Sequence, residues 1–523
     1  MSFPLLLPQF LTRAAKLYSE KTAVIMDDGR FTYKELQARV NQLSHSLRDL
    51  GVAKGDRVAY LSANTSEMLE GFYGVLQLGA VFVPMNTRLE PEDYVYILNH
   101  SESTVLYMDE SFREVILPVQ DKLKTVETII CNEQLDKEEV VLYEAMLASQ
   151  PKDDIDYYHI DENDLATLLY TSGTTGDPKG VMLTHRNNYL HAMSSMHHLQ
   201  VTDKDVLLHV LPMFHVNGWG SPFYYTANGA THVCLDKVRP KQIFDKIEKH
   251  GVTVMHMAPT VLSSLLEYAE KNQVPKIKHH LRIFVAGAAP PLAFIRRVEN
   301  ELNWTFIQVY GMTETTPLIT TSDIRVTQQQ LPYEEQLALK EKTGYELIGS
   351  EVKVVLDNGE EVAHDGKVIG EIIVRGVGVM KGYWKNEDAT SETIRNGWLH
   401  TGDLAVVYPD QNISIVDRKK DIIISGGENI SSLEVESMLY DHPAIQEVSI
   451  VARRHEKWGE VPLAIVVKRE HHEHILEQDI IDFARSKLAN FKAPRYVEFV
   501  DELPKNGSGK VLKHHLRKRF NVK

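Results

Sequence analysis

Residues 166–187 read Ala166-Thr-Leu-Leu-Tyr170-Thr171-Ser172-Gly173-Thr174-Thr175-Gly176-Asp177-Pro178-Lys179-Gly180-Val-Met-Leu-Thr184-His-Arg-Asn187. The first five residues are a strand-like apolar run, the next ten are dense in hydroxyls and glycine, and Thr184 opens a helix. Glycines let backbone N–H groups converge on an anion, hydroxyls add donors, and Lys179 adds positive charge. The stretch is a phosphate cradle. Its spacing, Gly173-x-x-Gly176-x-x-Lys179-Gly180, departs from a Walker A loop because no Ser or Thr follows the lysine, which disfavours a P-loop kinase or GTPase. Composition alone would read as a surface loop; the buried-looking strand before it favours the cradle.

Outward from this stretch, short apolar runs recur at Arg57–Leu61, Val206–Leu211, Leu281–Ala286 and Trp304–Tyr310, with helical segments between them. This alternation predicts an α/β fold. Near the N-terminus, Thr32-Tyr-Lys-Glu35 reads as a capping box for a helix carrying Leu36, Val40, Leu43 and Leu47 on one face and ending at Gly51. At Val352–Leu356 an alternating run meets Asp357-Asn358-Gly359 and continues into Glu361, which predicts a hairpin and a β-rich region. Beyond Asp417 the pattern changes again. Strand-like Val448–Val451 and Leu463–Val467 precede a helix with Ile480, Phe483, Ala484 and Leu488 on one face. A chain of 523 residues exceeds the ~250–300 at which one core stops growing. The expected division is 1–419 and 420–523, with a short junction near Arg418.

Fifty-seven Lys and Arg against 72 Asp and Glu give a net charge of −15, which disfavours nucleic acid and anionic lipid as partners. The run from Lys510 to Lys523 is basic and reads as a solvated face or as a contact for a polyphosphate. Cys131 and Cys234 stand far apart without metal-ligand spacing, so neither a disulfide nor a zinc site is expected and a reducing cytoplasm fits best. The longest apolar stretch, Phe72–Met85, is too short and glycine-rich to span a bilayer, and no export segment is expected. A homodimer is compatible with the sequence.

Six ordered segments resemble the AMP-forming acyl and aryl synthetases, the adenylate-forming enzymes: Thr171 to Gly180, Ala286-Gly-Ala-Ala-Pro290, Val309-Tyr-Gly-Met-Thr-Glu314, Thr401-Gly-Asp403, Asp417-Arg418 and Asn506-Gly-Ser-Gly-Lys510. The resemblance implies a large N-terminal domain of two αβ subdomains plus a β-rich subdomain, and a small mobile α+β C-terminal domain hinged at Lys420. It implies ATP, Mg2+ and CoA as small-molecule reactants. A carboxylate must then attack the α-phosphate of ATP; two unit anions ~4 Å apart repel by ~4 kcal/mol at an effective dielectric of 20, so cations and donors must offset that penalty.

By the same resemblance, Thr171, Ser172, Gly173, Thr174, Thr175, Gly176 and Lys179 hold phosphates. Gly287, Ala288, Ala289, Gln308, Val309, Tyr310, Gly311, Met312 and Thr313 bind ATP and AMP, with Gly287 and Ala288 forming the adenine slot and Tyr310 as the stacking ring. Asp403 and Arg418 hold the ribose, and Glu314 with Thr171 holds the metal. Lys510 bridges carboxylate and α-phosphate, joined in catalysis by His215 and Thr171. Ser425, Gly426 and Gly427 line a thiol tunnel.

Pro212-Met-Phe-His-Val-Asn-Gly-Trp219 is similar to the acyl-pocket segment of fatty-acyl, methylthiopropionate and aromatic acid ligases. It places His215, Val216 and Trp219 in the pocket with Gly287 and Gly311, and makes Trp219 either a tunnel gate or a core tryptophan. The absence of Asp in Phe214–Trp219 and Val285–Pro290 disfavours an α-amino acid. A medium- or long-chain fatty acid is expected, with aryl or methylthiopropionate ligation, or transfer to a carrier protein, as alternatives. Asn412 occupies a turn where the family usually has glycine, which implies a left-handed asparagine there.

Overall fold

Thr32 and Glu35 form the predicted capping box: the Thr32 hydroxyl accepts from the Glu35 N–H, and the Glu35 carboxylate accepts from the Thr32 N–H at 2.8 Å. The helix Tyr33–Asp49 follows with Leu36, Val40, Leu43 and Leu47 buried, and the chain leaves it through Gly51 at φ +88°. The computed structural model describes residues 3–134, 140–171, 178–272, 274, 276–287, 292–472, 474–505 and 509–520. Among them are four sheets.

Two large sheets share one plan, a run of parallel strands flanked by antiparallel ones, at both edges of the nine-stranded sheet and at one edge of the eight-stranded sheet. In the nine-stranded sheet the parallel strands run in the order Thr305–Gly311, Arg282–Val285, Val254–Met257, Val206–Leu208, Thr231–Val233, Thr22–Ile25. In the eight-stranded sheet they run Leu165–Thr171, Val81–Pro84, Arg57–Leu61, Ser103–Met108, Thr128–Cys131, Val141–Leu142. One core joins Tyr60, Phe82 and Leu169 of the second sheet to Val254, Phe284 and Val309 of the first. Helices Tyr33–Asp49, Ser66–Gly74, His185–His198 and Ser221–Ala227 supply the layer between. Residues alternate across each strand: Met255 and Met257 enter a separate core on the far side of the nine-stranded sheet, while Val254 faces the inter-sheet layer.

The third sheet is antiparallel and ends at the strand Ile413–Arg418; the fourth, in the small C-terminal domain, begins at Ile423–Ser425. The latter sheet packs under helices Ser432–Leu439 and Glu477–Lys487. No helix among the described residues is long and apolar enough to cross a membrane. Both cysteines are buried free thiols.

Four expectations change. Asp357-Asn358-Gly359 does form a tight turn, with Gly359 at φ +85°, but the strand Ser350–Val355 pairs in full with Gly370–Gly376 and meets Glu361 only in an isolated bridge. The run Val206–Leu211 is strand only to Leu208, because the Asn64 amide donates to the His209 and Leu211 carbonyls and diverts the chain. The left-handed residue at the Tyr408–Asn412 turn is Gln411 at φ +69°; Asn412 is buried instead. Finally, part of the basic C-terminal run docks, while Lys518 and Arg519 are exposed. In the helix Lys513–Arg519, the Lys513 ammonium lies 2.6 Å from the Ser432 hydroxyl and 2.8 Å from Glu436, and Arg517 pairs with Asp421.

Candidate active site

The strand Thr305–Gly311 delivers Tyr310 to the carboxyl ends of the parallel strands, where open α/β sheets bind ligands. Its hydroxyl donates to Asp403 Oδ2 at 2.7 Å, and Arg418 Nε lies 3.2 Å from Asp403 Oδ1. Asp403 and Arg418 are directly paired across adjacent strands, so the sheet register fixes their meeting. Gly311 is irreplaceable sterically: a Cβ there would come 1.7 Å from the Pro317 carbonyl oxygen. Gly287 holds φ +101°. Gln308 and Val309 are buried, Met312 is half-buried, and the Gln308 Oε1 atom has no hydrogen-bond partner among the described residues.

Thr171 and Lys179 are cross-strand partners that bracket the cradle. Ser172, Gly173, Thr174, Thr175 and Gly176 lie outside the described residues, as do Ala288, Ala289 and the 506–508 segment before Lys510. The Lys179 ammonium lies 5.0 Å from the Tyr383 ring centroid, and the Tyr383 hydroxyl donates to Glu314 Oε1 at 2.8 Å. Burial pushes the Glu314 carboxyl upward, and the Tyr383 bond partly counters it. Thr313 beside it is buried. One carboxylate with hydroxyl oxygens is a hard-donor set of the kind Mg2+ uses when substrate phosphates complete its shell, so Glu314 and Thr171 fit that ion. No cluster of three or more His, Cys, Asp or Glu that could hold a metal occurs among the described residues.

Lys510 reaches this cluster from the small domain. A Cβ on its neighbour Gly509 would meet Thr260 Oγ1 at 2.5 Å and Ala258 Cβ at 3.7 Å, so Gly509 lies just beyond the end of the strand Val254–Met257. Burial, reinforced by Arg418, pulls the Lys510 ammonium down to about 7, opposed by Asp403 and Asp421. The His215 imidazole is held at about 4, first by burial and then by Lys510. The Lys510 charge is thus felt at His215 of the large domain.

His215 begins a left-handed turn. Val216, Asn217, Gly218, Trp219 and Gly220 have φ of +49°, +52°, +58°, +59° and +77°. A left-handed conformation costs roughly 1–2 kcal/mol for each non-glycine residue, and a β-branched valine is an outlier there. The Asn217 amide secures the turn by donating to Thr167 Oγ1 at 3.0 Å and Asn188 Oδ1 at 3.1 Å. Trp219 is thereby laid into the core against His256. Ser425, Gly426 and Gly427 stand apart from this cluster at the Ile423–Ser425 hairpin, where Gly426 packs under Trp458 and donates to its carbonyl at 2.8 Å. Lys420 lies between the third and fourth sheets, and its ammonium is pulled down chiefly by burial.

Sequence reading missed His256, Tyr224, Tyr383 and Asn217. Only Asn217 carried a signal, sitting beside Gly218 within the quoted motif.

Fold and site together define an adenylate-forming enzyme. The chain belongs to the AMP-binding enzyme family, which matches residues 11–384, and the family's C-terminal domain matches residues 434–510. It is similar to 4-hydroxybutyrate–CoA ligase 2 of Metallosphaera sedula, 39% identical over 98% of this chain and 94% of that one. A peroxisomal butyrate–CoA ligase of Arabidopsis thaliana is 38% identical over 97% of this chain and 92% of that one. Among solved structures, an anthranilate CoA ligase in complex with anthranoyl-AMP superimposes with a TM-score of 0.91 at 26% identity, covering 100% of this chain and 98% of that one.

Proposed function

We propose that this protein is an AMP-forming acid–thiol ligase acting on a compact carboxylic acid. In the first step a carboxylate oxygen attacks the α-phosphorus of ATP and pyrophosphate leaves. In the second, the thiol sulfur of CoA attacks the acyl carbon, the thiol proton is lost, and AMP leaves. The observation that carries the reading is the close approach of Gly509, next to Lys510, to Thr260 and Ala258 of the large domain, with the Lys510 charge coupled to His215, Arg418 and Asp403. Such a cation offsets the repulsion between carboxylate and phosphate in the transition state. Tyr310 would stack on adenine, Asp403 and Arg418 would hold the ribose, and Thr171 and Lys179 would hold phosphates. Mg2+, held by Glu314 and Thr171, would neutralise phosphate charge. The domains would be 1–419 and 420–523, hinged at Lys420, with Ser425, Gly426 and Gly427 serving CoA in the second closed state.

Two things support a compact acid. Trp219, four residues after His215, packs ring against ring with His256, Tyr224, Tyr225 and Phe284, and filled core of this kind favours a short acyl space. The relatives act, by name, on four-carbon acids, and the structural neighbour on a single-ring acid. A second reading, a medium- or long-chain acid, rests on the Phe214-to-Trp219 segment and requires Trp219 to swing away as a gate.

AMP release across acids from acetate to palmitate, with benzoate and cinnamate, with and without CoA, tests both. A CoA-dependent signal peaking at butyrate to hexanoate or at one ring supports the compact acid. A rise through decanoate supports the gate, and silence on every acid overturns the ligase.

A further inference from the structure

The ring cluster around His256 is apolar in outline but not in chemistry. His256 sits on the strand Val254–Met257, two residues before Ala258, which abuts the Gly509 loop beside Lys510. It is 2% exposed, stacked on Trp219 at 5.6 Å, with the Phe284 ring edge-on at 5.4 Å and the Tyr225 and Tyr224 rings at 5.7 and 6.2 Å. Its Nε2 lies 3.3 Å from the Tyr225 hydroxyl, while its Nδ1 has no hydrogen-bond partner among the described residues. The fully buried Tyr224 hydroxyl has none there either.

Buried polar atoms are nearly always paired, because leaving one unpaired forfeits its hydration without return. Two such atoms in one ring cluster, next to the loop that carries Lys510, mark a place where a ligand completes the bonding. The charge of the missing partner follows from its surroundings. Burial, with His209 and Arg282 nearby, holds His256 at about 3, so the imidazole is neutral. Arg282 is already engaged by Asp205 and by the Leu199 and Gln200 carbonyls. Among the described residues, Arg282 is the cation whose charge is felt at His256, and it is already paired, so a second carboxylate would be buried without compensation there. Nδ1 is a donor in one tautomer and an acceptor in the other, and a phenol is both. A hydroxyl satisfies either case; a methyl satisfies neither.

We propose that the acid activated by this enzyme carries a neutral hydroxyl at its distal end, received by His256 and Tyr224. This rests on the ligase reading above and narrows its substrate class to hydroxy acids, aliphatic or single-ring.

The test uses the full chain and matched acids that differ by one group: pentanoate against 4-hydroxybutyrate, and 4-methylbenzoate against 4-hydroxybenzoate, with succinate as the charged control. The readout is kcat/KM for acid-dependent AMP formation with CoA. The hydroxyl member should exceed its methyl partner roughly tenfold in at least one pair, with succinate lowest, because a site built for a hydroxyl rejects the analogue that lacks it. His256→Phe and Tyr224→Phe should each bring that ratio toward unity. Tyr224→Phe removes a single oxygen, and the wild-type ratio needs no variant at all, so misfolding of His256→Phe does not shelter the idea. A methyl acid equal to or better than its hydroxyl partner in both pairs overturns the proposal, as does a ratio that survives both substitutions. Activity without the preference defeats only this proposal, whereas silence on every acid defeats the ligase reading beneath it.

Discussion

The Trp219 indole lies over the His256 imidazole with ring centroids 5.6 Å apart and planes 23° from parallel. On the compact-acid reading that stack bounds the acyl space, so removing the indole should lengthen it. Trp219→Ala is expected to shift the preferred alkanoate upward, each newly accommodated methylene gaining ~0.8 kcal/mol, or about fourfold in kcat/KM. Chain-length profiles of the two proteins check this; an unchanged optimum would mean that the indole does not bound the acyl space.

Asn217 should matter through geometry. Asn217→Ala loses two buried hydrogen bonds while retaining the strained φ of +52°, and should cost about 2 kcal/mol in denaturant stability. Asn217→Gly loses the same bonds but relieves the strain, and should recover roughly 1 kcal/mol of that loss. If the alanine variant were the more stable of the two, the left-handed turn would not be the source of the cost.

Lys510, pulled down to about 7 chiefly by burial, is a cation below that pH and neutral above it. kcat/KM for ATP in adenylate formation should therefore fall as pH rises through about 7, approaching tenfold per unit. Lys510→Arg should be slower but lack that limb, because a guanidinium stays charged. His215, at about 4, should contribute no inflection between pH 5 and 8.

Glu70 supplies a stability signature remote from the site. It is fully buried, accepts from the Tyr143 hydroxyl at 2.6 Å and pairs with Arg39 at 2.6 Å, yet burial raises its carboxyl from about 4.5 to about 7. The folded state thus holds a proton that the unfolded chain has released. The stability this contributes is full below about 4.5 and is lost as pH rises to about 7. Relative to wild type, Glu70→Gln should gain in Tm across that window; a constant difference would refute the assignment.

The parts of the fold written in neighbouring residues were legible. The Thr32 and Glu35 box, the Thr184 helix start and the apolar runs at Arg57–Leu61 and Thr305–Gly311 depend on spacing within a few positions. Asp403 and Arg418 were legible through motifs, although what joins them is a register between strands. His256 was not, because a lone histidine on an apolar strand reads as core until Trp219, brought in by a turn no valine should favour, is seen above it. The docking of Lys513 was hidden for the same reason: its partners Ser432 and Glu436 lie far away in the chain, and charge alone reads as a solvated run.

The most direct test of the central claim is acid-dependent exchange of labelled pyrophosphate into ATP without CoA, measured for the wild type and for Lys510→Ala. Adenylate formation predicts exchange that requires the acid and falls by roughly a hundredfold or more without the lysine. No exchange with any acid, or full exchange in Lys510→Ala, would contradict the account.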